Sequence, residues 1–167
     1  MIFITVGSAF PFDRLIQSMD MWANENGRGD ECVAQIGRGR YQPAHMEWHE
    51  TLGHAHFSET MQKAKLVVAH AGMGSVITAM RHTTPIVLMP RRFEAGEHTT
   101  DHQMATARWL EGKPGVFIAW DESDLASQIQ AAEGWTGRDA GLDPFASKAF
   151  TDRLNAQLTD WSQGIHS

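Results

Sequence analysis

Short apolar segments of strand length recur along this chain, and segments with helical spacing separate them. Continuous apolar character marks Ile2–Val6, Leu66–Ala69 and Pro85–Met89, which indicates strands buried on both faces of a sheet. After the first of these, Pro11–Asn24 has apolar residues three and four positions apart, as an amphipathic helix does. Alternating strands and helices favour a parallel sheet with right-handed crossovers. The predicted fold is therefore α/β, with a doubly wound and mostly parallel sheet.

Other segments complete this pattern with less distinct boundaries. Further strands are predicted at Glu31–Ile36, His54–Phe57 and Val116–Ala119. A short helix is predicted to start with Ser58 as its N-cap, and two further helices are predicted at Ser75–His82 and Asp101–Leu110. Another helix is predicted to begin at a cap formed by Asp121 or Ser123 and to end at about Ala132. Loops are expected at 38–53 and 91–100.

The C-terminal part is predicted to be a connector followed by one helix. Three glycines and Pro144 lie in 133–146, and Ser147–Trp161 has helical spacing. One stripe of that helix is apolar and consists of Phe150, Leu154, Leu158 and Trp161. We expect residues 1–132 to form one domain and residues 133–167 to form the connector and helix. Two alternatives stay open for the stripe, which packs either on this domain or on a partner.

The length and charge of the chain exclude several functional classes. The 167 residues suffice for one domain with a core. A formal net charge of -6 argues against nucleic-acid binding and against attachment to an anionic membrane through charge. Cys32 is the only cysteine, which excludes an intrachain disulfide and favours a reducing cytosol. Because Met1–Val6 lacks a signal-peptide pattern and no apolar run reaches membrane-spanning length, we expect a cytoplasmic protein.

A glycine turn between a predicted strand and a predicted helix is the strongest candidate binding site. The segment His70–Ser75 contains Gly72 and Gly74, and parallel sheets bind ligands at the carboxyl ends of their strands. Small residues let the backbone approach an anion, and the helix N-terminus attracts it. Ile77 replaces the third glycine of a dinucleotide fingerprint, and the P-loop lysine is absent. The pattern indicates an anion site, with a tight turn that binds no ligand as the alternative.

A second polar segment, Pro90–Gln103, follows the fifth predicted strand. Arg91 or Arg92 could pair with a phosphate, and Gln103 offers both a donor and an acceptor to sugar hydroxyls. The alternative is a solvated loop in which Asp101 caps the next helix.

Eight of the nine histidines lie between positions 45 and 102, which raises the question of a metal. His49 and His54 miss the zinc-protease spacing by one residue, so we expect no functional metal. Serine-hydrolase chemistry is also unsupported, because no Gly-x-Ser-x-Gly motif is present.

In this order the loops resemble the C-terminal domain of family 28 glycosyltransferases. The resemblance runs from Met1 to about Leu125 and is greatest to free-standing proteins of this domain alone, such as those of bacterial exopolysaccharide synthesis. The matching segments are Ile4–Gly7 with Pro11–Leu15, Gln35–Gly37, His70–Ser75, Pro90–Arg91, Gly96–His98 and Asp101–Gln103.

The resemblance implies a Rossmann-like domain, the C-terminal half of a GT-B transferase that is divided between two chains. This half would bind a UDP-sugar, and a membrane-anchored partner subunit would bind a lipid-diphosphate acceptor. The residues implied at the donor are Gly7 and Ser8 at the diphosphate; Phe57 and Ser58 at uracil; His70, Gly72, Met73, Gly74 and Ser75 at the phosphates; Arg91, Glu97 and His98 in the second loop; and His102 and Gln103 at the sugar.

One departure from the family concerns the ribose. The family carries a glutamate at the position of Thr78, and that glutamate holds the ribose hydroxyls. A threonine has one hydroxyl and no charge, so a bidentate contact is lost unless Glu97 or His102 compensates.

The implied reaction is inverting transfer of a hexose-type sugar in polysaccharide biosynthesis. Helix N–H groups, Arg91 and a histidine would stabilise the leaving diphosphate, so no metal and no cofactor are expected. The general base is expected on the partner subunit, which would also bring this chain to the inner face of the membrane. A homo-oligomer is compatible with the sequence. One alternative is a non-catalytic nucleotide-sugar-binding or regulatory module, and another is an unrelated nucleotide enzyme on the same fold.

Overall fold

The computed structural model describes residues 1–137 and 148–164. Six parallel strands form one sheet in the order β3-β2-β1-β4-β5-β6. The strands are β1 (Ile2–Thr5), β2 (Cys32–Gln35), β3 (Glu47–His49), β4 (Leu66–His70), β5 (Ile86–Met89) and β6 (Val116–Ile118). The helices are α1 (Asp13–Glu25), α2 (His54–Lys63), α3 (Met73–Arg81), α4 (His102–Leu110), α5 (Leu125–Glu133) and α6 (Lys148–Gly164). The predicted α/β fold with a parallel sheet is confirmed.

Hydrophobic side chains are buried on both faces of the sheet. Along β1, Ile2 and Ile4 belong to one core cluster, and Phe3 between them belongs to the other. Helices α1 and α5 cover the first face, and α2, α3 and α4 cover the second. This arrangement explains why the strand is apolar at every position rather than at alternate ones.

The region between β2 and α2 differs from the prediction. The predicted strand at His54–Phe57 is wrong, because these residues form the first turn of α2. Ser58 therefore lies inside that helix and is not its N-cap. The third strand is instead Glu47–His49, which pairs with β2 within a segment predicted to be loop. An apolar-polar alternation over four residues fits a strand and a helical turn equally well, and tertiary packing decides between them.

Helix α5 is preceded by a capped turn. The Asp121 carboxylate accepts from the Ser123 backbone N–H at 2.8 Å, and the Asp124 carboxylate accepts in return from the Asp121 backbone N–H at 3.3 Å. A reciprocal box of this kind satisfies amide groups that a helix start leaves without partners. Asp121 is thus a cap, as predicted, although of a short 3-10 turn that leads into the helix.

The predicted C-terminal stripe is described only in part. Leu154 is 44% exposed, whereas the side chains of Phe150, Leu158 and Trp161 lie outside the described part of the chain, as does most of the predicted connector. The packing of this stripe stays a prediction. None of the helices in the described ranges is long and apolar enough to cross a membrane.

The strand order reverses direction between β1 and β4. From β1 the chain moves outward through β2 to β3, and it then returns to β4 and moves the other way to β6. The carboxyl ends of β1 and β4 lie side by side at this point, and the loop after β5 adjoins them. Open α/β sheets bind ligands in the crevice outside such a reversal.

Candidate functional site

Two buried polar side chains fix the turn after β1 by hydrogen bonds to its backbone. Thr5 donates its hydroxyl to Gln35 Oε1 at 2.6 Å and accepts the Gly7 N–H at 3.1 Å. Gln35 Nε2 donates to the Gly7 carbonyl oxygen at 3.0 Å. Gly7 has a φ of 72°, a conformation that favours glycine, and Ser8 beside it is exposed. The turn is therefore fixed while its outer surface stays open.

His70 ends β4 opposite this turn, and its imidazole lies between two glycines. A Cβ on Gly7 would come within 2.6 Å of His70 Cε1, and a Cβ on Gly72 would collide with Nε2. Both positions therefore need glycine because the histidine ring fills the space between them. The two glycines and the histidine, all three predicted at the donor, are brought together as one unit.

The imidazole of His70 is neutral at physiological pH. Burial and the nearby positive charge of Arg91 lower the pKa of His70 to about 4. Its Nδ1 atom is buried and has no hydrogen-bond partner among the described residues. A buried polar atom without a partner costs free energy, and such atoms concentrate where a protein binds ligands or performs chemistry.

The N-terminus of α3 opens onto the same crevice. Gly72 is its N-cap and supplies no side-chain hydrogen bond to the first-turn amides. A Cβ on Gly74 would meet no atom within 4 Å, and Met73 beside it is 40% exposed. First-turn amides and the helix dipole attract anions. The fold itself does not require glycine at position 74, so the room there is available to a ligand.

Two other predicted residues of α3 are Ser75 and Thr78. Ser75 is buried, and the Thr78 hydroxyl donates to the Gly74 carbonyl oxygen at 2.8 Å. The hydroxyl donor of Thr78 is therefore already used, and only its oxygen remains as an acceptor.

The loop from β5 to α4 packs against the turn after β1. Arg91 is 2% exposed and directs its guanidinium to backbone oxygens of that turn. Its own N–H donates to Gln103 Oε1 at 3.1 Å, and Gln103 is 8% exposed. His98 packs its ring on Phe10 with the centroids 4.9 Å apart. The structure therefore places Arg91, His98 and Gln103 beside the first turn.

Glu97 anchors this loop to α1. Its carboxylate accepts from Arg14 Nε at 2.6 Å, from Arg14 Nη2 at 2.9 Å and from Arg92 N–H at 2.8 Å. Bidentate pairs of this kind combine charge with fixed geometry. Glu97 is therefore engaged within the protein, whereas His102, the first residue of α4, is exposed.

The two residues predicted at uracil lie on α2. Phe57 is half-buried and packs edge-on against Phe3, with ring centroids 5.5 Å apart, and Ser58 is exposed. No contact described here links them to the glycine turns, and their role toward a base stays a prediction.

Three residues that were not predicted at the site support it through hydrogen bonds. Thr5, Arg14 and Gln35 carry the hydrogen bonds just described, yet none was singled out as a functional residue. The available signal was a polar residue at the end of an otherwise apolar strand, as at Thr5 and Gln35. Such a residue needs a buried partner and therefore marks a network.

A separate cavity of about 580 Å³ lies at the opposite, amino-terminal edge of the sheet. Arg28 lines it and pairs with Glu31 at 2.8 Å and Glu133 at 2.7 Å. The charge of Arg28 is balanced within the protein, and the cavity lies at the amino ends of the strands instead of their carboxyl ends. It is therefore a weaker candidate for a ligand site. In the described ranges, no three His, Cys, Asp or Glu side chains are grouped as metal ligands would be.

The chain also matches a known protein family. The sequence pattern of the glycosyltransferase family 28 C-terminal domain matches residues 1–132. The chain belongs to this family. The family 28 C-terminal domain is the sugar-donor-binding type of domain in GT-B glycosyltransferases, so the coarse prediction of a transferase domain is confirmed. No curated protein sequence matches the chain significantly.

Solved structures share the fold of this family 28 domain. The glycosyltransferase SnogD from Streptomyces nogalater is 22% identical, with a TM-score of 0.57, over 83% of this chain and 36% of that one. The calicheamicin glycosyltransferase CalG4 is 15% identical, with a TM-score of 0.59, over 83% and 36%. The solution structure of ALG13 is 16% identical, with a TM-score of 0.55, over 92% and 93%. The chain thus spans about a third of the length of the first two and nearly all of the third.

Proposed function

We propose that this chain is the donor-binding subunit of an inverting glycosyltransferase that uses a UDP-sugar. The observation that carries the proposal is the unit of Gly7, His70 and Gly72 beside the uncapped N-terminus of α3, at the reversal of strand order. Small residues, first-turn amides and an open crevice suit a diphosphate. Membership of the family 28 domain supports the sugar-nucleotide class.

The diphosphate would lie against the first turn of α3. The amides of Met73, Gly74 and Ser75 would donate to its oxygens, with the exposed Ser8 hydroxyl on the opposite side. His70 is neutral and can donate one hydrogen bond without adding a charge. Charge that develops on the leaving UDP would meet fixed dipoles that need no reorganisation, which is how such sites stabilise a transition state.

The sugar would lie near the start of α4. Because Gln103 Oε1 already accepts from Arg91, its Nε2 group is the part that remains to donate to a sugar hydroxyl. His102 is exposed on the same turn and can contact the sugar as well. Donor binding is proposed to need no metal and no cofactor.

A second polypeptide is proposed to supply the acceptor site and the general base. The chain spans 34–36% of the first solved transferases that it matches, and 93% of ALG13. Elements around the crevice, which are the turn after β1, α3 and the loop after β5, also expose large apolar side chains. These apolar-rim residues are Phe10, Met73, Ile77 and Phe93, at 37%, 40%, 37% and 54%. Exposed apolar clusters mark interaction surfaces.

We propose that the partner is membrane-anchored and binds a lipid-diphosphate acceptor in polysaccharide biosynthesis. This chain would then lie at the inner face of the membrane through the partner and transfer a hexose-type sugar there. The packing of the apolar stripe on α6 against that partner belongs to the same proposal.

One observation favours a non-catalytic nucleotide-sugar-binding module instead. The Thr78 hydroxyl donates within its own helix, so this position offers the ribose no carboxylate and only the acceptor lone pairs of one hydroxyl oxygen. A domain that had lost transfer would tolerate weaker ribose binding. Transfer activity in the presence of the partner separates the two candidates.

Calorimetric titration tests donor binding directly. The full chain is titrated with UDP, with a panel of UDP-hexoses and with ADP and GDP, each in Mg²⁺ and in EDTA. We expect binding of UDP and of at least one UDP-sugar at micromolar to millimolar concentration, equal in both buffers. No heat with any uridine nucleotide in either buffer would contradict the proposal.

A further inference from the structure

Arg91 opens the loop between β5 and α4, and its guanidinium bonds to backbone oxygens of one neighbouring turn. Nη2 donates to the carbonyls of Val6 at 2.8 Å and Phe10 at 2.5 Å, and Nε donates to that of Pro11 at 3.4 Å. These three oxygens surround the turn that carries Gly7 and Ser8. A single side chain therefore ties both ends of the turn together from within.

Two further contacts fix the arginine itself. Its guanidinium carbon lies 5.0 Å from the ring centre of Phe12, which is buried at the start of α1. Its backbone N–H donates to Gln103 Oε1 in the first turn of α4. Arg91 thus joins the start of α1, the turn after β1 and the start of α4, which are three separate parts of the chain.

The charge of Arg91 is solvated by carbonyl oxygens instead of a carboxylate. In the described ranges no Asp or Glu forms an ion pair with it, and Glu97 nearby is engaged by Arg14. Burial lowers the pKa of Arg91 to about 10, which still leaves it protonated at neutral pH. A buried cation is tolerated only where its donors are satisfied, so the position of the carbonyl oxygens is coupled to the arginine.

We propose that Arg91 is a positioning residue that holds the turn at residues 7–10 in its donor-binding arrangement, without bonding to the donor itself. The proposal rests on the donor-binding function and assigns one residue of that site a different role from the phosphate contact that the sequence suggested. A planar guanidinium reaches several oxygens in fixed directions, whereas a lysine ammonium keeps the charge but loses that fork. The substitution Arg91→Lys therefore separates geometry from charge.

The mobility of the turn provides a test that needs no ligand. Backbone ¹⁵N order parameters are measured for the full chain and for Arg91→Lys. We expect the order parameters of Gly7, Ser8, Ala9 and Phe10 to fall in the variant while those of β1 stay unchanged. Arg28→Lys is the matched control, because the Arg28 guanidinium is also held by several hydrogen bonds, to Glu31 and Glu133, but at the opposite edge of the sheet. Unchanged order at residues 7–10 in Arg91→Lys would overturn the proposal.

Affinity for UDP provides the second test. We expect Arg91→Lys to bind UDP at least tenfold more weakly, with Arg28→Lys close to wild type. Full affinity in Arg91→Lys would show that only charge matters there and would overturn the positioning role. If wild type binds no uridine nucleotide, the proposed function fails, and the order parameters still decide whether Arg91 holds the turn.

If Arg91→Lys does not fold, a substitution of Phe12, whose ring contacts the Arg91 guanidinium, provides the test. Phe12→Leu keeps a large apolar side chain at the buried position but removes the ring beside the guanidinium. We expect a smaller loss of order at the same four residues and a smaller loss of UDP affinity. Order and affinity equal to wild type in Phe12→Leu would overturn the proposal in that case.

Discussion

The imidazole of His70 occupies the space that a side chain at position 7 would fill. A Cβ on Gly7 would lie 2.6 Å from His70 Cε1, well inside contact distance. The end of β4 therefore packs closely against the turn after β1, because Gly7 has no side chain and leaves room for the His70 ring. Because both elements end at the reversal of strand order, the shape of the crevice depends on this pair.

Substitution of Gly7 by alanine is expected to destabilise the fold strongly. Its φ of 72° costs an alanine about 1 kcal/mol, and the collision with His70 adds to this, for roughly 2–4 kcal/mol in total. The free energy of unfolding in urea measures the loss. Gly27→Ala is the matched control, since Gly27 has a φ of 62° and nothing within 4 Å of its Cβ position.

The collision itself can be isolated with a second substitution. In the background of His70→Ala, we expect Gly7→Ala to cost no more than Gly27→Ala does, because the ring is gone. An equal cost of Gly7→Ala with and without His70 would contradict this close packing.

Substitution of Gly74 by leucine is expected to separate binding from stability. The Cβ position is open and the residue lies in the first turn of α3, so leucine should stabilise the helix by about 0.5–1 kcal/mol. The leucine side chain would nevertheless block close approach of a diphosphate to the amides, and UDP binding should be lost. Calorimetry and thermal unfolding measure the two effects. Gly134→Leu is the control, at the opposite edge of the sheet and with only ordinary contacts.

Loss of stability in that variant would show that the fold needs glycine at position 74. Retained UDP affinity in a stable Gly74→Leu protein would instead remove the diphosphate from the N-terminus of α3.

The stability of the protein is expected to fall below pH 6.5 because of His70. Its pKa is lowered to about 4 in the fold, so the unfolded chain binds the proton first as the pH falls. The contribution of the neutral His70 to the free energy of unfolding is complete above about pH 6.5, the pKa of histidine in the unfolded chain. It is lost progressively as the pH falls to about 4. Linkage gives a loss of about 2 kcal/mol between pH 7.5 and pH 5. Urea unfolding of wild type and His70→Gln at both values measures it, and equal pH dependence would contradict the buried neutral histidine.

Much of the fold was predictable from local pattern. Continuous apolar character at Ile2–Val6 and Leu66–Ala69 identified central strands, because burial on both faces excludes polar residues. The strand Glu47–His49 was not predictable in this way, since it lies at the edge of the sheet and has only three half-buried or exposed residues. Its position follows from pairing with β2, which is a tertiary contact.

The sequence indicated which residues lie at the candidate site, but it did not indicate which contacts they make with one another. Glycines at 7, 72 and 74 and the histidine at 70 indicated a close backbone approach, and the structure brings them together. The sequence assigned Arg91 to a phosphate, whereas its guanidinium bonds the carbonyls of Val6 and Phe10, which are more than 80 positions earlier in the chain. Long-range contacts of that kind leave no periodic signal in the sequence.

Two substitutions of Gln103 are expected to separate its two roles. Gln103→Glu keeps an oxygen for the Arg91 N–H but removes the Nε2 donor, so it should weaken a UDP-sugar more than UDP. Gln103→Ala also leaves a buried N–H without a partner, which costs about 1–3 kcal/mol of stability. Calorimetry and urea unfolding of both variants measure these effects. Equal weakening of UDP and UDP-sugar by Gln103→Glu would place this side chain away from the sugar.

Transfer activity is expected to require a second polypeptide. The purified chain should bind donor but transfer no sugar to a lipid-diphosphate acceptor, and activity should appear when solubilised membranes that contain the partner are added. Phe93→Asp tests the apolar rim, because Phe93 is 54% exposed and an aspartate there would oppose an apolar contact. We expect this variant to bind UDP like wild type and to lose activity only in the reconstituted assay.

A matched control for the rim lies on the same molecule. Trp109 is 63% exposed in the last turn of α4, at the edge of the sheet opposite the crevice, so Trp109→Asp should keep both binding and reconstituted activity. A specific interface buries its apolar centre, so a charge there should reduce activity at least tenfold, while the same charge elsewhere has little effect. Sugar transfer by the chain alone would show that the base and the acceptor site are within it. Equal activity of both variants would instead place the partner on another surface.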